Sequence, residues 1–210
     1  MGYSPYYIYV LFQKYAKEIT GVNKVAFATG LNNILLNKKI TISGLNTGES
    51  IEKIYDELAA KKGIKTISDI KMPIAIPTVD VAEANEYIFT NQIPKKNKRF
   101  YIDNITVGKA VRASSSFPVF FSPCEFQKHK FLDGGTLDNV PTMPVRNLGV
   151  KKVISINFEA DSIDEQSNVM DIVMKTIDIM GSKISEESLE MSDLVLSVYT
   201  DKVGLLDVEK

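Results

Sequence analysis

Apolar residues recur at helical spacing from the start of the chain, where Ile8, Leu11, Phe12, Tyr15 and Ile19 fall on one stripe. Ser4 can cap this segment and Pro5 can fill its first turn, so the pattern predicts a helix over residues 5–18 with the stripe in the core. Residues 22–36 are apolar but mixed, with Gly30 inside, and residues 40–42 read as a short strand. Ile51, Ile54, Tyr55 and Leu58 mark one face of a second helix that stops near Gly63, a left-handed cap position. Residues 73–81 alternate and are β-branched, and residues 87–89 and 100–102 read as strands on either side of a basic loop. A short helix from Thr106 runs through Ala110 and Val111 to a turn at Ser116-Phe117-Pro118. Residues 125–127 and 130–132 read as a hairpin, Pro141 starts another helical turn, and residues 153–158 read as a buried strand. Ser167 opens a long helix with Val169, Ile172, Val173, Thr176, Ile177 and Met180 on one side, and residues 194–199 supply a last strand. Strands alternating with helices predict an α/β domain with a largely parallel sheet.

Composition agrees with one globular domain: 210 residues, 44% hydrophobic and 24% charged, which excludes disordered, collagen-like and disulfide-scaffold classes. Twenty-five basic against 26 acidic side chains leave a net charge of −1, with no general footprint for nucleic acid or an anionic membrane. A single cysteine, Cys124, makes no internal disulfide, and no charged-then-apolar leader opens the sequence, so a reducing, cytoplasmic location is expected. No apolar run approaches the roughly 18 residues of a membrane-spanning helix.

The chemistry concentrates in Phe131-Leu132-Asp133-Gly134-Gly135, where a carboxylate ends an apolar strand and two glycines follow. Glycines permit positive φ and close backbone approach, so the turn can hold Asp133 at the carboxyl end of its strand, the ligand side of an open α/β sheet. Asp-Gly-Gly is equally a plain tight turn. His129 lies four residues before Asp133, about 13 Å away along an extended strand, too far for a hydrogen bond, and reads as a polar hairpin residue at the surface. Cys124 reads as a small buried residue. Gly108-Lys109 lacks the first glycine and the Ser or Thr of a phosphate loop. The cluster Lys95-Lys96-Asn97-Lys98-Arg99 is a solvated turn or a contact for anionic head groups, and Phe117-Pro118-Val119-Phe120-Phe121 is core or an acyl-site wall.

Gly108-Lys109-Ala110-Val111-Arg112-Ala113-Ser114, Phe117-Pro118, Asp133-Gly134-Gly135, Asn139-Val140-Pro141 and Leu148-Gly149 precede the strand at 153–158. In order and spacing they resemble the second half of the patatin-like phospholipase family. Ile67-Ser68-Asp69-Ile70 and the opening Gly2-Tyr3-Ser4-Pro5 resemble it at the matching places, so the resemblance covers most of residues 1–199 and is strongest over 108–158.

The resemblance implies a three-layer α/β sandwich with a central, mostly parallel sheet, here lacking its first strands, so that residues 1–210 form a partial domain. It also implies a serine acyl hydrolase with a Ser-Asp dyad and no histidine. The serine sits on a G-x-S-x-G elbow, a Gly-rich loop supplies oxyanion donors, and the Asp-Gly-Gly aspartate is the base. Only Asp133 takes a catalytic role by this route, with Gly134 and Gly135 shaping its turn. Ser43, Ser114, Ser115, Ser116, Ser122, Ser155 and Ser182 all lack the flanking glycine pair. The nucleophile is therefore expected about three helical turns before Met1, and the 210 residues alone are expected to be inactive. The implied ligand is a lipid or carboxylic ester, with no cofactor, metal or nucleic acid, and with peripheral membrane contact as a secondary option. The competing expectation is a non-catalytic lipid-binding or interaction module derived from that fold.

Overall fold

The computed structural model describes residues 1–20, 44–95, 98–160 and 169–200. The expectations for residues 22–36 and 40–42, the helix start at Ser167, and Lys96 and Asn97 lie outside the described residues. The chain is an α/β sandwich built on a curled five-stranded sheet. Its helices are α1 (Pro5–Thr20), α2 (Glu49–Ala60), α3 (Val107–Ser114), α4 (Thr142–Asn147) and α5 (Val169–Glu190). Its strands are β1 (Gly44–Asn46), β2 (Ala75–Asp80), β3 (Asn85–Thr90), β4 (Tyr101–Ile102), β5 (Val119–Phe121), β6 (Cys124–Phe126), β7 (His129–Asp133), β8 (Ile154–Ala160) and β9 (Leu194–Thr200).

The five-stranded sheet runs β4-β3-β2-β7-β6, while β1 pairs with β5 and β8 pairs with β9, both in parallel. Directions are more mixed than the expected largely parallel arrangement, because β2–β3, β2–β7 and β6–β7 are antiparallel and β3–β4 is parallel. For β2–β3 and β6–β7 the reason is connection length: four residues join the first pair and two the second, too few for the crossover that parallel neighbours require. The β6–β7 turn has Gln127 at φ 48° and Lys128 at φ 71°, both left-handed, which matches the twist of a two-residue hairpin.

One face of the sheet carries the main core. Phe89 and Phe131 are fully buried and meet edge to face with centroids 5.4 Å apart, among Ile67, Ile105 and Cys124. The small residues Ala110 and Ala113 bring α3 onto this face, and α2 covers the outer side of α3. Gly108 makes that second contact possible, since a Cβ there would sit 2.0 Å from the Glu52 carbonyl oxygen. Asp56 of α2 caps α3, accepting from the Gly108 N–H at 2.6 Å and from the Thr106 hydroxyl at 3.0 Å. Thr106 in turn accepts from the Lys109 N–H at 3.2 Å. Thr106→Ala is expected to lower stability by about 1–2 kcal/mol in urea unfolding, the range of a lost N-cap.

The opposite face buries Val79 and Ile88 under the segment that follows β7. Gly63 adopts φ 71° just beyond α2, as expected for a helix cap. The start of α1 also follows the pattern, with the Tyr7 N–H bonded to Ser4 Oγ at 3.3 Å. Its apolar stripe does not form core, however: Ile8 is 41% and Phe12 56% exposed, and α1 is tied to α2 through Tyr3, whose hydroxyl donates to the Leu58 carbonyl at 2.8 Å.

The strand β8 differs from the expected buried strand in a related way. Its alternation puts Ser155 inside at 6% exposure and Ile154, Ile156 and Phe158 outside, and in α5 Ile172 and Met180 are also exposed. Burial here follows polarity in reverse because the inner side is a hydroxyl cluster. Ser155 Oγ lies 2.7 Å from Ser192 Oγ, and the Thr142 hydroxyl donates to the Ser188 carbonyl at 3.0 Å, joining α4, β8 and the end of α5.

Candidate active site

Asp133 ends β7, which is pinned on both sides. Thr78 pairs with Asp133 across β2–β7, and its hydroxyl donates to the Leu132 carbonyl at 2.7 Å. The Asp133 N–H donates to the Ser116 carbonyl at 3.1 Å, which brings the Phe117-Pro118 turn beside it. Beyond Asp133 the chain tightens into a turn over Gly134–Thr136, and the Asp133 Oδ1 accepts from the Gly135 N–H at 2.8 Å. Gly134 and Gly135 do not have positive φ. Their requirement is space: a Cβ on Gly134 would lie 2.4 Å from the Pro77 carbonyl oxygen, and one on Gly135 would lie 3.1 Å from Asp133 Oδ1 and from Asn139 Oδ1. At both positions the glycine provides close backbone approach and not a left-handed φ.

Asp133 opens onto a cleft of about 930 Å³ whose near wall includes Phe117, Pro118 and Asn139 and whose far wall includes Phe158, Ile184 and Ser185. The Asn139 amide reaches Ser185 Oγ at 3.4 Å, linking the two walls. Burial raises the Asp133 carboxyl above its ordinary value, and the Gly135 N–H offsets only part of that. A carboxylate so placed is a stronger base than one in water, with one oxygen oriented by the backbone and no described side chain bonded to the other.

His129 is not a free surface residue: its Nδ1 lies 3.1 Å from Asp80 Oδ2, and its ring packs on Tyr87 and Phe131. It has no bond to Asp133, as the strand spacing requires. Asp80, which nothing in the sequence analysis singled out, is 1% exposed and accepts from the Ala82, Glu83 and Lys130 N–H groups at 3.0, 2.7 and 3.2 Å. Burial alone would raise its carboxyl, yet these bonds and His129 more than offset it and hold it below the usual range. A strand-ending Asp followed by Val-Ala-Glu is the one sequence signal of such a turn. With a lowered folded value, this contribution is complete above the unfolded carboxyl value and is lost as pH falls through the folded one. Urea midpoints measured below about pH 4 should therefore fall less steeply for Asp80→Asn than for the wild type.

Cys124 is fully buried as expected, with its thiol raised by burial. Lys109 and Arg112 pair with Glu52 at 3.4 and 2.9 Å, so Gly108-Lys109 is a helix start and not a phosphate loop. Ser116 serves its turn, donating to the Arg112 carbonyl at 2.8 Å. Phe117 and Pro118 line the cleft rather than the core. Arg99 of the basic cluster is bonded to Glu83 at 3.0 Å. Among the described residues there is no group of carboxylates, histidine and cysteine that would hold a metal, and no helix is long and apolar enough to cross a membrane.

A family model described as Patatin-like phospholipase matches residues 8–146. A stretch of 103 residues is 29% identical to "Uncharacterized protein YqhO" of Bacillus subtilis (strain 168), covering 47% of this chain and 35% of that protein. The matched chain thus spans about a third of its relative's length.

Proposed function

The chain belongs to the patatin-like phospholipase family, and on that premise we propose that it supplies the base half of a serine acyl hydrolase site acting on lipid or carboxylic esters, with Asp133 as the base. The observation that carries this reading is the Asp133 carboxylate itself: at a strand end, oriented by the Gly135 N–H at 2.8 Å, raised by burial and open to a cleft with apolar walls. In the proposed reaction a serine hydroxyl gives its proton to Asp133 as its oxygen attacks the ester carbonyl. Backbone N–H groups hold the oxyanion, the alcohol leaves with a proton, and water cleaves the acyl-enzyme with Asp133 again as base. No metal or cofactor is required for these steps.

The 210 residues hold no G-x-S-x-G serine, so the reading assigns the nucleophile to chain outside this sequence and residues 1–210 to part of a hydrolase domain. The test is the coding sequence upstream of Met1 together with fluorophosphonate labelling of its product. An upstream in-frame G-x-S-x-G and a labelled serine are expected; a stop codon with no such motif overturns the reading. That missing motif favours a second reading, a non-catalytic lipid-binding module, which predicts a monodisperse 210-residue protein that binds lipid vesicles and stays unlabelled. A cytoplasmic location, with contact at a membrane surface, belongs to the same proposal.

A further inference from the structure

Asp133 is oriented by one backbone donor, the Gly135 N–H at 2.8 Å, so whatever fixes Gly135 also fixes the carboxylate. The two sides of that turn are held differently. On the sheet side, Gly134 is wedged against Pro77 of β2, and its carbonyl accepts from the Leu137 and Asp138 N–H groups at 3.1 and 2.9 Å. On the cleft side, a Cβ on Gly135 would lie 3.1 Å from Asn139 Oδ1, so the Asn139 side chain rests where Gly135 leaves room.

Asn139 is placed from both ends. Its neighbour Val140 is buried, and Pro141 restricts the backbone beyond it. Its amide nitrogen donates to Ser185 Oγ at 3.4 Å, and Asp133, Gly135, Asn139 and Ser185 all line the same cleft. Ser185 is 2% exposed and has already given its one hydroxyl hydrogen to the Gly181 carbonyl at 2.8 Å, so toward Asn139 it can only accept. The place therefore calls for a side chain with a donor at that reach, which asparagine has and an ionised aspartate or a leucine of similar size lacks. The anchor is firm, because the same end of α5 is tied to α4. The Thr142 hydroxyl donates to the Ser188 carbonyl at 3.0 Å, and Arg146 donates to the Met191 carbonyl at 2.7 Å.

We propose that Asn139 is a positioning residue: it braces the Gly135 side of the aspartate turn against Ser185 of α5 and so keeps Asp133 in the orientation a base needs. The brace stands on these contacts alone, whereas its meaning for turnover rests on the hydrolase reading. Without it the turn stays folded through Gly134, and what is lost is the fixed direction of the Gly135 N–H.

Solvent exchange of the Gly135 amide, measured by NMR on the 210-residue chain, tests the brace. Asn139→Ala is expected to speed that exchange by about three- to tenfold, the range of one lost neutral hydrogen bond, while the Phe89 and Phe131 amides of the sheet keep their wild-type rates. Ser185→Ala should give the same acceleration and leave α5 helical, since alanine is the best helix former, and the double variant should add nothing further. Unchanged Gly135 exchange in either single variant, or additive effects in the double, would overturn the brace. In protein that carries the nucleophilic serine, Asn139→Ala should lower kcat on a short chromogenic ester by about three- to tenfold and move KM by less than about twofold, because alignment of the base matters in the transition state and not in binding. A raised KM with unchanged kcat would make Asn139 a wall of the cleft and end its positioning role. Absence of turnover in the wild-type protein would refute the hydrolase reading instead, and the exchange result alone would then decide the brace.

Discussion

Alanine at position 108 is expected to cost about 3 kcal/mol or more, the upper end of overpacking effects, because neither atom it would strike can move cheaply. The added methyl would meet the Glu52 backbone oxygen at 2.0 Å and the Asp56 carboxyl carbon at 2.7 Å. One is the main chain of α2, and the other is the group that caps α3 through the Gly108 N–H. The helices must separate, which loosens the layer covering Ala110 and Ala113 and breaks the Asp56 cap together. Gly181→Ala is the matched control, since its Cβ would meet nothing within 4 Å in the middle of α5. There the usual helix preference applies, and a gain of about 0.5–1 kcal/mol is expected. Urea unfolding of the two variants checks the contrast, and a Gly108→Ala cost below about 1 kcal/mol would mean that the two helices are not in this close contact.

The second large effect concerns chemistry alone. In protein that carries the nucleophilic serine, Asp133→Asn is expected to lower ester turnover by about 10²–10⁴-fold, the contribution of a positioned general base. The amide oxygen can still accept from the Gly135 N–H, so the turn keeps its shape. Stability should not suffer either. The folded carboxyl value is raised, so its stabilising contribution is complete below the unfolded value and lost as pH rises through the folded one. At pH 7 the ionised group therefore burdens the fold, and the asparagine variant should melt at the same temperature as the wild type or higher. For the same reason, wild-type kcat should rise with pH through a point above the ordinary value of about 4 for an aspartate. Steady-state rates on a chromogenic ester, paired with thermal melts, decide the matter: unchanged turnover would make Asp133 a structural turn residue.

Local signals in the sequence translated well into structure. Ser4 and Thr106 start helices, Gly63 ends one, and the hairpin expected over residues 125–127 and 130–132 forms from Cys124–Phe126 and His129–Asp133, with Gln127 in the turn instead of the strand. Asp133 likewise stands at a strand end facing a cleft. Each of these depends on residues a few positions apart. The unread features depend on contacts distant in sequence. Asp80 meets His129 across 49 residues, β5 is a strand because β1 lies beside it, and Asn139 reaches Ser185 across 46 residues. Periodicity also reports that a strand or helix has two unlike faces without saying which one is covered. In β8 the covered face is the polar one, because Thr142 and Ser192 satisfy Ser155 there. The glycines of the Asp133 turn illustrate the same limit, since what excludes a side chain at Gly134 is Pro77, far away in sequence.

The β8–β9 pair gives the cleft walls unequal resistance to opening. The wall bearing Asp133 belongs to a five-stranded sheet with fully buried Phe89 and Phe131, whereas Phe158, on the far wall, is 70% exposed on a two-stranded parallel ribbon. That ribbon and α5 are fastened to α4 and its preceding loop by hydroxyl and guanidinium bonds, notably Thr142 to the Ser188 carbonyl and Arg146 to Asp193. Segments held by few buried apolar contacts open at lower free energy than the core they lean on. The cleft can therefore widen by a sub-global excursion of β8, β9 and α5 while the aspartate turn stays folded; under the proposed hydrolase function, a bulky ester would gain a way in that leaves Asp133 in place.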